Sequence, residues 1–153
     1  MKKFLSIFGG IFLLLIFAIA GFFGYIAFQG RGLDASSKAY IETNVPPIIS
    51  TWSKDELLKR SSPQLLKTLN EKPEQLDLLF QNLSKLGALR SFSEVKGDSH
   101  VSFNTQNGKA TTASYVATAK YENGEAKISI RLVQLSGQWQ FIYFYVNSPI
   151  FLQ

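Results

Sequence analysis

The chain has 153 residues, no cysteine, and 16 lysines and arginines against 11 aspartates and glutamates. The lack of cysteine excludes a disulfide framework, a thiolate metal site and a cysteine nucleophile. The basic residues alternate with acidic ones along the chain instead of clustering, which argues against a nucleic-acid-binding surface.

The first predicted element is an uncharged apolar segment over residues 4–30. As a helix it would extend roughly 40 Å, more than the ~30 Å hydrocarbon core of a bilayer. The triplet Ala18-Ile19-Ala20 is typical of a signal-peptidase site, but the residues after it are still apolar. A signal peptide has a short apolar core followed by a polar cleavage region. We therefore expect an uncleaved transmembrane anchor over residues 1–30, with cleavage after Ala20 as the alternative.

The charges around this segment predict its orientation. Lys2 and Lys3 precede it and favour a cytoplasmic N-terminus. We therefore expect a single-pass protein of a bacterial inner membrane that contacts the lipid through residues 4–28. Residues 31–37 read as a flexible linker because they are preceded and interrupted by glycine. Residues 38–153 then form one domain in the periplasm or outside the cell.

Helix signals follow over residues 40–86, where apolar residues recur at helical spacing. Pro46-Pro47 interrupts this pattern, and Ser53-Lys54-Asp55-Glu56 has the sequence of a capping box. Ser62-Pro63 and Pro73 are typical beginnings of two further helices.

After residue 87 the apolar period changes from helical to alternating, which predicts strands. Residues 89–95 and 101–105 read as two strands around a turn at Lys96-Gly97-Asp98. Gln106-Asn107-Gly108 reads as the turn of the next hairpin.

Two further turns predict the pairing of the last three strands. Asn123-Gly124 is the favoured pair for a two-residue hairpin turn, and Ser136-Gly137 is a weaker one. With Asn123-Gly124 as the turn, Tyr121 faces Ala126 and Ala119 faces Ile128. Small side chains then oppose large ones on one apolar inner face.

The phase of the last strand leaves two alternatives. In a regular ladder Trp139 and Phe141 share the inner face with Tyr143 and Tyr145. An apolar stripe then covers the outer face and predicts a partner-binding surface, formed by Val116, Val133, Ile142, Phe144 and Val146. A β-bulge near Ile142-Tyr143 would instead turn Phe144 and Val146 inward and the two tyrosines outward.

The predicted fold class is α+β, with helices packed on a curved antiparallel sheet. The closing strand, "SGQWQFIYFYVNSP", resembles that of nuclear-transport-factor-2-like (cystatin-like) domains, and "PPIISTWSKDELLKRSSPQLL" is similar to the helical opening of small exported members. The resemblance covers residues 35–149. It implies a cone-like sheet around one long helix, in a fold that hosts enzymes, ligand binders and scaffolds. Many members dimerise through the outer sheet face.

No cofactor, metal site or catalytic residue is predicted from the motifs. The sole histidine, His100, lies two residues after Asp98, and the pair reads as a solvated turn rather than as a base with its orienting carboxylate. Arg131 is predicted on the surface of the sheet, where it could hold an acidic partner.

We therefore expect a non-catalytic binding or assembly module that forms a homodimer or binds a protein partner through the outer stripe. The alternative is a protein that binds a small apolar ligand in the cone, with a pocket lined by Trp52, Tyr115, Tyr143 and Tyr145. An isomerase- or hydratase-like enzyme is the third hypothesis.

Overall fold

The computed structural model of the chain describes residues 18–20, 31–104 and 108–152. The chain divides into two compact units, residues 1–33 and 34–153. In the first unit residues 18–20 are helical. The rest of the predicted anchor, up to residue 30, lies outside the described residues, as do the first two residues of the turn predicted at Gln106-Asn107-Gly108. Among the helices that are described, none is long and apolar enough to cross a membrane.

The helices come first in the chain, and most begin with a proline. Proline is well suited to the first turn because its missing N–H would have no helical partner there. The helices are α1 (residues 31–44), α2 (Pro46–Ile49), α3 (Lys54–Arg60), α4 (Pro63–Glu71) and α5 (Pro73–Ser84).

The two predicted caps are present, with one difference. Ser53 Oγ accepts from the Glu56 amide at 3.3 Å, and Ser62 Oγ accepts from the Leu65 amide at 3.3 Å. The Glu56 carboxylate, however, does not close the capping box. The Ser53 amide donates to the Ile48 carbonyl instead, and Glu56 pairs with Lys59 and Arg60 on its own helix.

Residues 31–37 are helical, so the prediction of a flexible linker there is wrong. Gly32 weighs against a helix in isolation, but tertiary contacts hold the segment. Ser37 is fully buried, and its Oγ lies 2.8 Å from the Tyr115 hydroxyl. The Asp34 carboxylate accepts from the Ser99 amide at 2.7 Å. Contacts of this kind routinely override local propensity.

One antiparallel sheet follows, with its four strands in the order in which they occur in the chain. The strands are β1 (Leu89–Asn104), β2 (Gly108–Tyr121), β3 (Gly124–Leu135) and β4 (Gln138–Asn147), and a short 3-10 helix follows at Pro149–Leu152. The α+β class with helices on an antiparallel sheet is thus confirmed.

β1 is a single long strand, whereas the sequence predicted two strands around a turn at residues 96–98. Gly97 lies within it because the backbones of β1 and β2 approach each other closely at this point. A Cβ atom on Gly97 would lie 1.9 Å from the Ser114 carbonyl oxygen. Glycine therefore marks a close backbone approach and not a turn. An irregularity between Ser93 and Lys96 precedes it.

The turn between β2 and β3 lies one residue earlier than predicted, at Glu122-Asn123. Tyr121 pairs with Gly124 and Ala119 with Ala126, so the pairing differs by two residues from the prediction. The segment between α5 and β1 fixes this position, because the two turn amides donate to the Ala88 and Leu86 carbonyls at 3.1 and 2.9 Å. A shift of two residues leaves every side chain on its predicted face.

The second turn, Ser136-Gly137, is confirmed, and so is the bulge in β4. Leu132 pairs with Phe141 and Arg131 with Tyr143, which leaves Ile142 as the extra residue. Both turn residues have positive φ, 49° and 77°, as a two-residue hairpin turn of the primed type requires. After the bulge the alternation of β4 is reversed.

The core lies between the helices and the inner face of the sheet. Tyr40 of α1 contacts Phe141, with ring centroids 5.7 Å apart, and Ser62 donates its amide to the Phe141 carbonyl at 2.7 Å. The strands contribute mostly small and branched residues to this core: Ala113, Ala117, Ala119, Ala126, Ile128, Ile130 and Leu132. The helices contribute Ile41, Val45, Ile48, Ile49, Leu57, Leu76, Phe80 and Leu83.

Candidate partner-binding face

The four residues predicted to line one pocket lie on opposite faces of the sheet. Trp52 and Tyr115 are buried among the core residues, whereas Tyr143 and Tyr145 are exposed on the outer face. The bulge at Ile142 causes this separation, because it turns the end of β4 over. The structure therefore does not bring these residues together.

Trp52 packs as a core residue in the turn between α2 and α3. Its ring stacks on Tyr121 at 5.6 Å and meets Phe80 edge-on at 6.2 Å. Its backbone has φ 47°, in the left-handed region that a bulky residue rarely adopts. The Tyr121 hydroxyl donates to the Ile49 carbonyl at 3.1 Å, and burial raises the pKa of Tyr121 above its usual value.

Tyr115 is held by polar contacts below the sheet. Its hydroxyl lies 2.8 Å from Ser37 Oγ and donates to the Asp34 carbonyl at 3.2 Å. Burial raises the pKa of the Tyr115 phenol, although the Ser37 hydrogen bond acts in the opposite direction. This hydroxyl joins α1 to the sheet and is already engaged, so it is not available to a ligand.

The apolar stripe predicted for the outer face is only partly there. Phe144 and Val146 point inward, because the bulge reverses the alternation, and Val146 is buried while Phe144 is half-buried. Val116 remains exposed on the outer face, and Val133 and Ile142 are half-buried. The outer face is therefore less apolar than the regular ladder predicted.

Two tyrosines take the place of the stripe. Tyr143 and Tyr145 are 41% and 53% exposed, and their rings stack with centroids 6.3 Å apart. The guanidinium carbon of Arg131 lies 5.2 Å from the centroid of the Tyr143 ring, a cation–π contact. The result is an ordered row of two aromatic rings and one cation on the solvent side of the sheet.

This row borders a concavity on the outer face with a volume of about 430 Å³. Its floor is formed by Ser114 and Val116 of β2 and Ser129 of β3. Lys96 of β1 and Arg131 of β3 line it on either side of β2, and Tyr143 of β4 also lines it. The concavity coincides with the close approach of β1 and β2, because Gly97 is also one of its lining residues.

The sequence prediction missed Lys96 as a site residue and placed Arg131 on the surface of the sheet, where it could hold an acidic partner. The outer-face positions of β1 could not be assigned without knowing that Lys96-Gly97-Asp98 is strand. The cross-strand pairing of Lys96 with Val116 supplies that information. An exposed Lys-Gly pair in a run of polar residues is otherwise an unremarkable turn signal.

Asp98 and His100 lie on the same outer face, exposed and 3.8 Å apart. At 3.8 Å from Nδ1, the Asp98 carboxylate is too distant to orient the imidazole by a hydrogen bond in the way a catalytic base requires. Across residues 18–20, 31–104 and 108–152, no group of histidines and carboxylates has the arrangement of a metal site.

No protein-family model, curated protein or solved structure matches this chain. Its function must therefore be inferred from the residues of the outer face themselves.

Proposed function

We propose that this protein is a non-catalytic binding module that holds a partner protein against the outer face of its sheet. The observation that carries the proposal is the exposed, stacked pair Tyr143–Tyr145 with Arg131 beside it, at the edge of a concavity. We further propose that residues 1–30 anchor the module in a bacterial inner membrane and that the domain lies outside the cytoplasm. The uncharged segment over residues 4–30 supports this location.

The composition of the face supports protein binding. Tyrosine and arginine are the residue types most enriched at the energetic centres of protein interfaces. Large aromatic rings supply contact area at a small cost in conformational entropy, and stacking reduces that cost further because the rings are already ordered. Val116, which is 47% exposed, adds apolar surface at the floor of the concavity.

The sheet is also well supported from below, so a partner would meet a rigid surface. The residues directly beneath the outer face, such as Ile130 and Leu132, are fully buried. A surface that is ordered before binding loses less entropy on association. A pocket for a small apolar ligand is not proposed, because its predicted residues lie on both faces of the sheet.

The test is a double substitution of the tyrosine pair, Tyr143→Ser with Tyr145→Ser, in the full chain. We expect native mass spectrometry of gently extracted protein to show the wild type in a complex and the variant as a single chain. Leu78→Ser is the matched control, because Leu78 is 59% exposed on α5, far from the outer face. Tryptophan fluorescence checks that each variant is folded.

Retention of the complex by the folded tyrosine variant would refute the proposal. Loss of the complex in the Leu78→Ser control as well would refute the outer face as the specific surface.

A further inference from the structure

The strongest feature that protein binding alone does not explain is the pair of unpaired cations at the concavity. Five lysine or arginine ion pairs and one contact between His100 and Asp98 occur in the part of the chain that the structure describes, and neither Lys96 nor Arg131 takes part in any of them. Both line the concavity, and no acidic side chain lines it. The site thus carries two positive charges with no internal counter-charge.

The acidic residues of the outer face are engaged elsewhere. Glu94 accepts from the Thr118 hydroxyl at 3.2 Å, and Asp98 faces His100. Glu125 lies directly opposite Lys120 in the ladder. The face also carries Lys127, opposite Thr118, so it has a small excess of positive charge, and its carboxylates all lie outside the concavity.

We propose that the concavity binds acidic side chains of an extended segment of the partner protein. This proposal rests on the proposed function and specifies its partner: the segment carries aspartate or glutamate at alternate positions.

The geometry of the sheet supports an extended segment. Lys96 lies opposite Val116 and Arg131 opposite Ser114, so the two cations stand on either side of β2. Two strand spacings across the sheet and a two-residue offset along β2 separate their backbones by about 11.6 Å, whereas same-face side chains of an extended peptide repeat every ~6.6 Å, so that two repeats span ~13 Å. Flexible lysine and arginine side chains can close this difference and each meet one carboxylate. The Ser114 and Ser129 hydroxyls on the floor supply additional donors.

The shape and charge of the face disfavour two other occupants. A bilayer surface is broad and flat, whereas this site is recessed, and the exposed Asp98 would face an anionic headgroup layer. A second copy of the chain, bound symmetrically at this site, would bring the Lys96 and Arg131 side chains of the two copies close together. Like charges brought together in this way oppose association.

The experiment titrates the full chain, in non-ionic detergent, with a blocked six-residue peptide of alternating glutamate and threonine. The matched probe replaces each glutamate by glutamine. Nuclear magnetic resonance follows the Arg131 side-chain N–H and the Ser114 and Ser129 amides. We expect the acidic peptide to bind about tenfold more tightly than the neutral one, and the difference to disappear at high salt.

Substitution locates the binding. Lys96→Gln and Arg131→Gln are each expected to raise the dissociation constant of the acidic peptide about threefold, which is the size of effect that an exposed charge pair allows. Lys67→Gln on α4 is the control, because it removes the same charge from an exposed position outside the concavity and is expected to leave binding unchanged.

Equal binding of the two peptides would overturn the proposal. So would displacement of the acidic peptide by an equal concentration of inorganic phosphate, or binding to phosphatidylglycerol vesicles without binding to the peptide. A dimer of the full chain that Arg131→Gln dissociates would identify a second copy as the occupant instead.

The outcomes also separate the two proposals. If the tyrosine variant disperses the native complex while Lys96→Gln with Arg131→Gln leaves it intact, the acidic segment is wrong and the protein-binding function stands. If neither pair of substitutions disperses the complex, both proposals fall.

Discussion

Deletion of Ile142 is expected to be tolerated, although it removes a residue from the interior of a strand. Ile142 is the extra residue of the bulge, so its loss leaves Phe141 inward, Tyr143 outward and Phe144 inward. The ladder becomes regular and every later side chain keeps its face. Because the Ile142 side chain is only half-buried, we expect the deletion to cost about 1 kcal/mol of unfolding free energy.

Deletion of Tyr145, which is largely exposed, is the comparison. This change moves Val146 from the core to the outer face and Asn147 from solvent to the core. Exposing a valine costs about 1.5–3 kcal/mol. Burying an amide without a partner costs about 1–3 kcal/mol more. The total of about 2.5–6 kcal/mol is a large part of the stability of a small domain.

Denaturant unfolding of the full chain, followed by tryptophan fluorescence, measures both deletions. The chain has two tryptophans, Trp52 and Trp139, and both are buried in the core, so the signal reports loss of packing. The reasoning is refuted if the two deletions lower the unfolding midpoint equally, because the bulge would then not determine the phase of β4.

Three further substitutions test individual contacts elsewhere in the domain. Gly97→Ala is expected to destabilise the domain by about 3 kcal/mol, measured by denaturant unfolding, because its Cβ would collide with the Ser114 carbonyl oxygen. Burial raises the pKa of Tyr121, so its contribution to stability is complete below the unfolded pKa of about 10 and is lost as pH rises above that value. Tyr121→Phe should therefore cost about 1 kcal/mol at neutral pH, through the lost hydrogen bond, and flatten the alkaline decline in an unfolding series against pH. Lys54→Ala, which breaks an exposed pair with Asp77, should change the midpoint by less than about 1 kcal/mol, and a larger loss would contradict its exposure.

The fold class and the inner face of the sheet could be predicted from the sequence because they depend on periodicity. The alternation from Tyr115 to Leu132 identifies the same buried side chains whether the turn lies at residues 122–123 or 123–124. The position of the turn depends instead on the hydrogen bonds that its amides donate to the segment between α5 and β1, which is distant in the sequence. The helical state of residues 31–37 likewise depends on distant partners, Ser99 and Tyr115.

The candidate site was harder to predict than the fold. The bulge was foreseen as one of two alternatives, but only the observed pairing of Arg131 with Tyr143 decides between them. That one residue determines whether the outer face carries an apolar stripe or a row of tyrosines with a cation. Lys96 was not predicted as a site residue because the glycine after it indicated a turn. A glycine that permits close packing of two strands cannot be distinguished by sequence from a glycine that permits a turn.

The way in which the edges of the sheet are covered has a consequence for solubility. An open strand edge is a template on which other chains can add, and it is a common origin of aggregation. Here the Ser99 amide at the edge of β1 donates a hydrogen bond to the Asp34 carboxylate. The Phe141 carbonyl at the edge of β4 accepts one from the Ser62 amide. Two side-by-side molecules would have to break these bonds before their strands could pair. Addition of another strand at these two backbone positions is therefore disfavoured.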